Sequence, residues 1–443
     1  MSNISVVGAG YVGLVTAACF AELGHKVSLL EIDREKLSAL ERGVMPINEP
    51  SLPEFWKRNQ AAGRICVTDN YIKSLLGAEF VFIAVGTPSA GNGKPNLKWV
   101  KQATKGIAEA ASGPMIVVLK STVPVGTAAQ VAEILKRYCQ NGHNFPVVSN
   151  PEFLREGLAV YDFINPTRVV VGSSNESAAE AVANLYKPLN SPIIMCDSST
   201  AEMSKYASNV FLATRVSFMN EMALLCDEYS VDVVKVAEIM GKDPRFGKGY
   251  LSAGLGWGGS CLPKDVRALI NMAKSRGIPL RLLRAVQQIN QQQCHVVIRK
   301  LQRQLGSLDS KTIGILGLSF KPNSDDMREA SSLTLILLLK EQGCCIKAYD
   351  PMAMETASRL INDITYCDDA YEVARESDAL ILVTEWDEFK QLDLPTLSSI
   401  MNRPIMIDGR NLYNPEEIIR AGFIYEGIGR CNVQSHMVRS SVT

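Results

Sequence analysis

The run Asn3-Ile-Ser-Val-Val7 leads directly into Gly8-Ala9-Gly10-Tyr11-Val12-Gly13. An apolar strand that ends in G-x-G-x-x-G and opens a helix commits a chain to a βαβ beginning. Gly8 allows the tight turn, Gly10 lets a pyrophosphate approach the backbone, and Gly13 lets helix and strand pack closely. Tyr11 and Val12 lie inside the same turn. Free N–H groups and the dipole at the helix N-terminus favour an anion there. The next candidate strand, 26–30, ends at Glu31. A carboxylate at this place can accept hydrogen bonds from both ribose hydroxyls and repels a 2′-phosphate, so NAD is expected over NADP. Asp33 is a competitor, but it fits better as the N-cap of a helix beginning Arg34-Glu35-Lys36. The alternative is a Rossmann-like fold that binds no dinucleotide.

Apolar runs alternate with helical patterns through residues 1–200. Candidate strands are 3–7, 26–30, 80–85, 115–119, 146–149 and 168–172. Continuous apolar strands separated by helices predict a parallel, doubly wound sheet. Residues 201–231 contain neither Pro nor Gly and carry apolar residues at helical spacing. They predict a long helix, with a second near 280–303, suited to a connector and an oligomer interface. The α/β pattern resumes at 311–318, 344–349, 379–384 and 404–407. The expected fold is therefore α/β, with two Rossmann-like parallel-sheet domains (1–200 and 306–443) joined by a helical segment (201–305).

Ile313–Gly317 echoes Ile4–Gly8 but lacks the third glycine, so a second dinucleotide is not expected there. Lys321 and Arg328, in Phe320-Lys-Pro-Asn-Ser-Asp-Asp-Met-Arg328, either hold phosphates or belong to a solvated turn. The stretch Gly247–Gly259 is too rich in glycine for regular structure. The last dozen residues are polar and expected to fray.

Composition narrows the function. Among 443 residues, 46 basic and 46 acidic side chains balance, which argues against a nucleic-acid binder. The longest apolar runs, such as Leu333–Leu339, fall far short of the ~20 residues that span a bilayer. The N-terminus has no basic region of the kind that starts a signal peptide, so a cytoplasmic protein is expected. His25, His143, His295 and His436 are not at metal-ligand spacing, and no metal is expected. The 11 cysteines include no C-x-x-C pair, which suits reduced thiols.

One cysteine has distinctive surroundings: Gly254-Leu-Gly-Trp-Gly258-Gly259-Ser260-Cys261-Leu-Pro-Lys264-Asp265. Glycines let a backbone close around a ligand. A thiol near a helix start and a lysine is activated as thiolate, whereas most cysteines of reduced proteins are small buried hydrophobes. A dinucleotide fold with a nucleophilic thiol points to aldehyde-level oxidation. A thiohemiacetal loses hydride to become a thioester, and water releases an acid.

Seven motifs, in order, are GAGYVG (8–13), VGTP (85–88), STVPVGT (121–127), NPEFLREG (150–157), EMSKYASN (202–209), the 254–265 loop and FKPNSDDMRE (320–329). Over nearly its whole length the chain resembles the UDP-glucose/GDP-mannose dehydrogenase family. The resemblance implies an NAD-binding domain, a central helical dimerisation segment carrying the cysteine loop, and a nucleotide-sugar-binding domain in a homodimer or higher oligomer. It implies oxidation of a sugar C6 hydroxyl to a carboxylate with two NAD.

Matched residue by residue, it makes Cys261 the nucleophile and Lys205 and Asn209 the pair that stabilises oxyanions on C6. It makes Glu152 the activator of the hydrolytic water and Asp265 the residue that orients Lys205 or a water. Thr122 falls near the nicotinamide. Thr87, Glu156, Lys264, Arg328 and, more weakly, Lys36 match NAD contacts. Phe153, Leu154, Tyr250, Leu251, Ser252, Ala253, Gly254, Gly258 and Lys321 match nucleotide-sugar contacts. Arg245 matches an arginine that reaches the sugar site from a partner subunit, and Arg410 is a further candidate substrate contact.

Each has a plainer alternative. Glu152 and Glu156 could be one solvated face, Lys205 and Asn209 exposed helix positions, and Thr122 a helix cap. Glu31 departs from the Asp that many relatives carry. The segment Met240–Gly254 looks like the UDP-glucose branch. GDP-mannose, a UDP-N-acetylhexosamine and a catalytically silent NAD-binding scaffold are the competing readings.

Overall fold

The computed structural model describes residues 1–430 apart from 92, 140 and 141. Cys431, His436 and the polar last dozen residues, expected to fray, lie outside the described residues. The chain forms two compact bodies. One is Met1–Ser208 with Arg267–Met272, and the other is Asn209–Val266 with the chain from Ala273 onward.

The first body carries strands β1 (Asn3–Val7), β2 (Lys26–Leu30), β3 (Ile65–Thr68), β4 (Phe80–Ile83), β5 (Ile116–Leu119), β6 (Val147–Ser149), β7 (Val169–Gly172) and β8 (Ile193–Cys196). Their order in the sheet is β3-β2-β1-β4-β5-β6-β7-β8. Pairing is parallel from β3 through to β6, and one antiparallel register, Ser149 opposite Gly172, joins β6 to β7. The order reverses at β1, where β2 leaves on one side and β4 on the other; ligands bind at such a switch point, beyond the carboxyl ends of the strands. Strands β4 and β7 are buried along their whole length, as a sheet covered on both faces requires. On one face, Phe20 packs its ring against Phe82, Phe163 and Tyr186 at centroid separations of 5.1, 5.3 and 5.3 Å.

In the second body, β9 (Thr312–Leu316), β10 (Cys345–Tyr349), β11 (Thr365–Tyr366), β12 (Ala379–Leu382), β13 (Ile405–Asp408) and β14 (Ile424–Gly427) form a parallel sheet. Its order is β11-β10-β9-β12-β13-β14. The expected fold class holds, with both sheets in place. The expected long helices are present as Ser198–Tyr229 and Arg281–Leu305. Residues 247–259 contain neither helix nor strand.

The internal echo extends to hydrogen bonds. Gly8 (φ 103°) and Gly317 (φ 94°) each turn the chain out of the first strand of their sheet. Their N–H groups donate to Leu30 and Tyr349, both at 2.8 Å. The acidic residue that follows differs between the two sheets. Asp350 is fully buried and accepts from the N–H groups of Leu318 (2.6 Å), Ser319 (3.0 Å), Met352 (2.9 Å) and Ala353 (2.8 Å), and from the Trp386 indole (3.1 Å). Its carboxylate is committed to the turn, so Asp350 is not available for a ribose in the way Glu31 is.

Candidate active site

The first glycine turn fits a dinucleotide. A Cβ on Gly13 would overlap the Gly8 carbonyl oxygen, so Gly13 serves close helix–strand packing. A Cβ on Gly10 would meet nothing within 4 Å. Gly10 is the N-cap of the helix Tyr11–Glu22, and no side chain caps it. The open space and uncapped first turn are what an approaching pyrophosphate needs. Glu31 lies at the end of β2, as expected. One of its oxygens accepts from Ala9 N–H (2.9 Å), and the other from Ile32 (2.8 Å) and Asp33 (2.9 Å). A carboxylate offers about four lone-pair sites, so Glu31 anchors the glycine turn and keeps acceptor capacity for a ribose. Asp33 caps the helix Arg34–Glu41 through Glu35 and Lys36 N–H, leaving Lys36 exposed. The residues present therefore suit NAD.

Further along the same edge, Thr87 donates its hydroxyl to the Thr122 carbonyl at 2.8 Å. Thr122 does not cap a helix, because the following helix is Thr127–Tyr138 with Gly126 at its N-cap. That helix start is served by Glu202, which accepts from Gly126 (2.6 Å) and Ala128 (2.8 Å). The Tyr11 hydroxyl accepts from Gly157 N–H at 2.6 Å, tying the dinucleotide turn to the 152–157 segment. This segment is not helical, so Glu152 and Glu156 do not share a helix face; Glu156 is half-buried.

Glu152 and Lys205 are buried and meet at 2.9 Å. The second Glu152 oxygen accepts from Leu154 N–H at 2.6 Å. Burial alone would raise the Glu152 carboxyl, but the Lys205 charge, the Leu154 N–H and the Lys120 charge outweigh it and hold the group below the usual carboxylate range. Phe153, half-buried like Leu154, has the Arg168 guanidinium 3.8 Å above its ring centroid and the Lys205 ammonium at 5.4 Å. Glu152, Phe153, Leu154, Arg168, Tyr186 and Lys120 contribute to the lining of one cavity of about 260 Å³.

No role for Lys120 is readable from the sequence, yet it is a buried cation beside the Glu152–Lys205 pair. It follows β5, and its ammonium donates to the Asn150 amide oxygen (3.0 Å) and the Tyr186 hydroxyl (3.2 Å). Burial lowers its pKa to about 8; Glu152 opposes that shift and Lys205 adds to it. A lysine placed directly after the apolar run Met115–Leu119 is the signal that could have found it.

In the second body, Cys261 is half-buried and immediately precedes the helix Leu262–Lys274, the helix-start position expected of it. Its sulfur lies 3.5 Å from the Ser260 hydroxyl. The buried Asp265 accepts from the Asn209 amide at 2.7 Å and pairs with Lys264 at 2.5 Å. Asn209 is buried, one turn beyond Lys205 on the helix Ser198–Tyr229, so neither is an exposed helix position.

The glycine loop before Cys261 is pinned at several points. Gly254 N–H donates to the Asn220 oxygen (2.7 Å), Trp257 N–H to the Asn290 oxygen (2.8 Å), and the Trp257 indole to Ser217 (3.0 Å). A Cβ on Gly258 would overlap the Glu329 carbonyl, so the glycine there serves packing as well as any ligand. Neither Asn220 nor Asn290 stands out in sequence, because both sit in helices whose partner is a distant loop.

Leu251 and Ala253 are buried, Ser252 is exposed, and Tyr250 is exposed with φ 61°. Arg245 is exposed and forks onto Asp243. Arg328 is exposed and forks onto Asp326; Lys321, half-buried, lies 5.3 Å from the centroid of the Phe320 ring. Arg410 donates to the carbonyls of Val383 (2.7 Å) and Gly256 (3.0 Å), so much of its guanidinium braces the glycine loop.

Comparison with known proteins agrees with this arrangement. The family model for the NAD-binding domain of the UDP-glucose/GDP-mannose dehydrogenases matches residues 2–190, that for the central domain 199–292, and that for the UDP-binding domain 314–415. The chain is 43% identical over 431 residues to UDP-glucose 6-dehydrogenase TuaD of Bacillus subtilis, covering 97% of this chain and 94% of that protein. Its fold is similar to that of a UDP-glucose dehydrogenase from Pyrobaculum islandicum, with TM-score 0.91, 37% identity, and coverage of 97% and 98%. It is also similar to a UDP-D-ManNAc dehydrogenase from Pyrococcus horikoshii, with TM-score 0.86, 29% identity, and coverage of 97% and 99%. The glycine turn, the three matched domains and the near-complete coverage place the chain in the UDP-glucose/GDP-mannose dehydrogenase family.

Proposed function

We propose that this chain oxidises the C6 hydroxyl of UDP-glucose to a carboxylate, reducing two NAD per sugar. The observation that carries the reading is the buried Glu152–Lys205 pair; the same chain holds a cysteine at a helix start after a glycine loop. Greater identity to the UDP-glucose enzyme than to the ManNAc enzyme supports the choice of sugar.

Bound NAD supplies the hydride acceptor. Residues Gly8 to Gly13 and Glu31 would hold its pyrophosphate and ribose, with Thr87, Thr122, Glu156, Lys264 and Arg328 as further contacts. C6 gives up a hydroxyl proton and a hydride to become an aldehyde. The Cys261 thiolate adds to that carbon, and Lys205 and Asn209 stabilise the resulting oxyanion. Loss of a second hydride leaves a thioester. Glu152 takes a proton from the attacking water, the carbon–sulfur bond breaks, and the thiolate leaves. UDP-glucose, two NAD⁺ and water thus give the acid, two NADH and three protons.

Asp265 orients Asn209 in this scheme, while Lys205 is held by Glu152 instead. The exposed Phe211, Phe218, Leu225, Tyr229 and Ile239 support a homodimer through the central helices. The division at 1–200, 201–305 and 306–443, and a cytoplasmic location, belong to the same proposal; among the described residues no helix is long and apolar enough to cross a membrane.

The test supplies NAD with UDP-glucose, GDP-mannose and UDP-N-acetylmannosamine in parallel and counts NADH per sugar. Two NADH from UDP-glucose is the expected result. A count of one, no turnover, or preference for another sugar overturns the reading; binding of both ligands without NADH would identify a silent scaffold.

A further inference from the structure

Lys120 stands outside every role assigned above, yet it is a buried lysine with two neutral partners. Its ammonium and the Tyr186 hydroxyl converge on the Asn150 side-chain oxygen, at 3.0 and 2.5 Å. The Asn150 amide nitrogen donates to the Val170 carbonyl (2.8 Å), and its backbone N–H donates to Leu119 (2.9 Å). Asn150 is therefore fixed from β5, from β7 and from the helix Glu176–Tyr186, and the chain passes through Pro151 straight to Glu152. Lys120 and Glu152 line the same cavity.

We propose that Lys120 is a positioning residue for Glu152. Through Asn150 it fixes the Asn150-Pro151-Glu152 turn, and its charge gives the Glu152 carboxylate a second cationic neighbour besides Lys205. A lone buried ammonium on neutral partners is costly, and an apolar residue would fill the space more cheaply. The Glu152 carboxylate is the opposite charge that acts on the ammonium. Glu152, Lys205 and Tyr186 act on Lys120 or beside it, with Cys19 beyond Tyr186, and Arg155, Asp162 and Arg168 line the same cavity; Lys205 and Lys120 both favour ionised Glu152.

This rests on Glu152 being the base for thioester hydrolysis, but its test needs no turnover. Carbon-13 glutamate labelling, with Glu152→Gln to assign the signal, gives the Glu152 titration in the free enzyme. In Lys120→Met the midpoint should rise by roughly half a unit to one unit, and the acid limb of thioester hydrolysis should move with it. Tyr186→Phe removes a hydrogen bond to Asn150 and keeps both charges, so its midpoint should stay in place.

An unmoved midpoint in folded Lys120→Met overturns the proposal. If that variant does not fold, the unaltered enzyme decides: the Glu152 signal, already ionised, should shift again with a midpoint near about 8 as Lys120 deprotonates. A signal that stays flat through the whole range in which Lys120 deprotonates overturns it too. Failure of the hydrolytic role would appear separately, as thioester hydrolysis at the normal rate in Glu152→Gln.

Discussion

The Glu152 carboxylate and the Lys205 ammonium form a 2.9 Å ion pair from which water is almost wholly excluded, with side-chain exposures of 6% and 4%. A base buried against a cation is ionised and oriented, but less basic than a free carboxylate. Glu152→Gln keeps the shape and an acceptor for Leu154, and loses the base. Thioester hydrolysis should slow by about 10²–10⁴-fold, with a sugar adduct accumulating on Cys261 in the mass spectrum. Hydrolysis at the normal rate would remove Glu152 from that step.

The same pair links stability to pH. The folded carboxyl lies below its ordinary range, so its contribution is fully present above the unfolded value near ~4.3. That contribution is lost as pH falls through the folded value. Between pH 5 and 8 the pair should contribute a constant amount. Lys205→Ala strands a buried carboxylate and should cost about 3 kcal/mol at pH 7. Much of that should be regained on acidification, when Glu152 takes up a proton. Denaturant midpoints of both proteins at pH 4 and 7 check this; a penalty independent of pH would contradict it.

Gly10 and Gly13 separate ligand access from packing. Gly10→Ala places a methyl in open space at φ −80°, so stability should stay within about 0.5 kcal/mol. The KM for NAD should rise about tenfold or more, a loss of at least ~1.4 kcal/mol of binding. Gly13→Ala collides with the Gly8 carbonyl and should lower thermal stability even without NAD, by about 1–3 kcal/mol. Equal thermal shifts for the two variants would refute the separation.

Asp265 accepts from Asn209 on one oxygen and from Lys264 on the other. Asp265→Asn removes the charge facing Lys264 and places an amide against the Asn209 amide. A hydrogen bond to a charged group contributes about 1.5–3 kcal/mol, so a loss of that size is expected in urea unfolding. A larger fall in kcat than in KM should accompany it if Asn209 acts on the C6 oxyanion. A pure KM effect would assign Asn209 to binding alone.

Sequence conveyed what local chemistry dictates. The turn glycines, the Glu31 carboxylate after β2, the Asp33 cap and the helix start after Cys261 all follow from short-range rules, and all are in place. Strands β3, β8, β11 and β14 escaped because each is short and lies at or next to a sheet edge, with polar or exposed residues breaking the apolar pattern. In β14, Glu426 interrupts the run and finds buried Lys300 at 3.5 Å, a long-range contact no spacing reveals. Lys120, Asn220 and Asn290 were missed for the same reason: their partners are distant in sequence. Arg410 was readable as a ligand contact, and only the fold shows how much of it is held by Val383 and Gly256.

Cys261 differs in its setting from Cys19, Cys66, Cys294, Cys344 and Cys345. Burial pushes the thiols of Cys294 and Cys344 up to about 11, and that of Cys19 higher still. These groups stay protonated at neutral pH and cannot attack an aldehyde. Cys66 and Cys345 are exposed and open to reagents but sit on strands, without a helix start beside them. A variant with Cys66→Ser and Cys345→Ser should therefore keep full turnover and still be inactivated by iodoacetamide, at one site. NAD with UDP-glucose should protect that site. Cys261→Ala should release no acid, and its NADH count should fall from two per sugar to one at most, the aldehyde having no thiol to meet. Acid formation by Cys261→Ala at more than about a thousandth of the normal rate would mean that the second oxidation passes through the aldehyde hydrate, not a thioester.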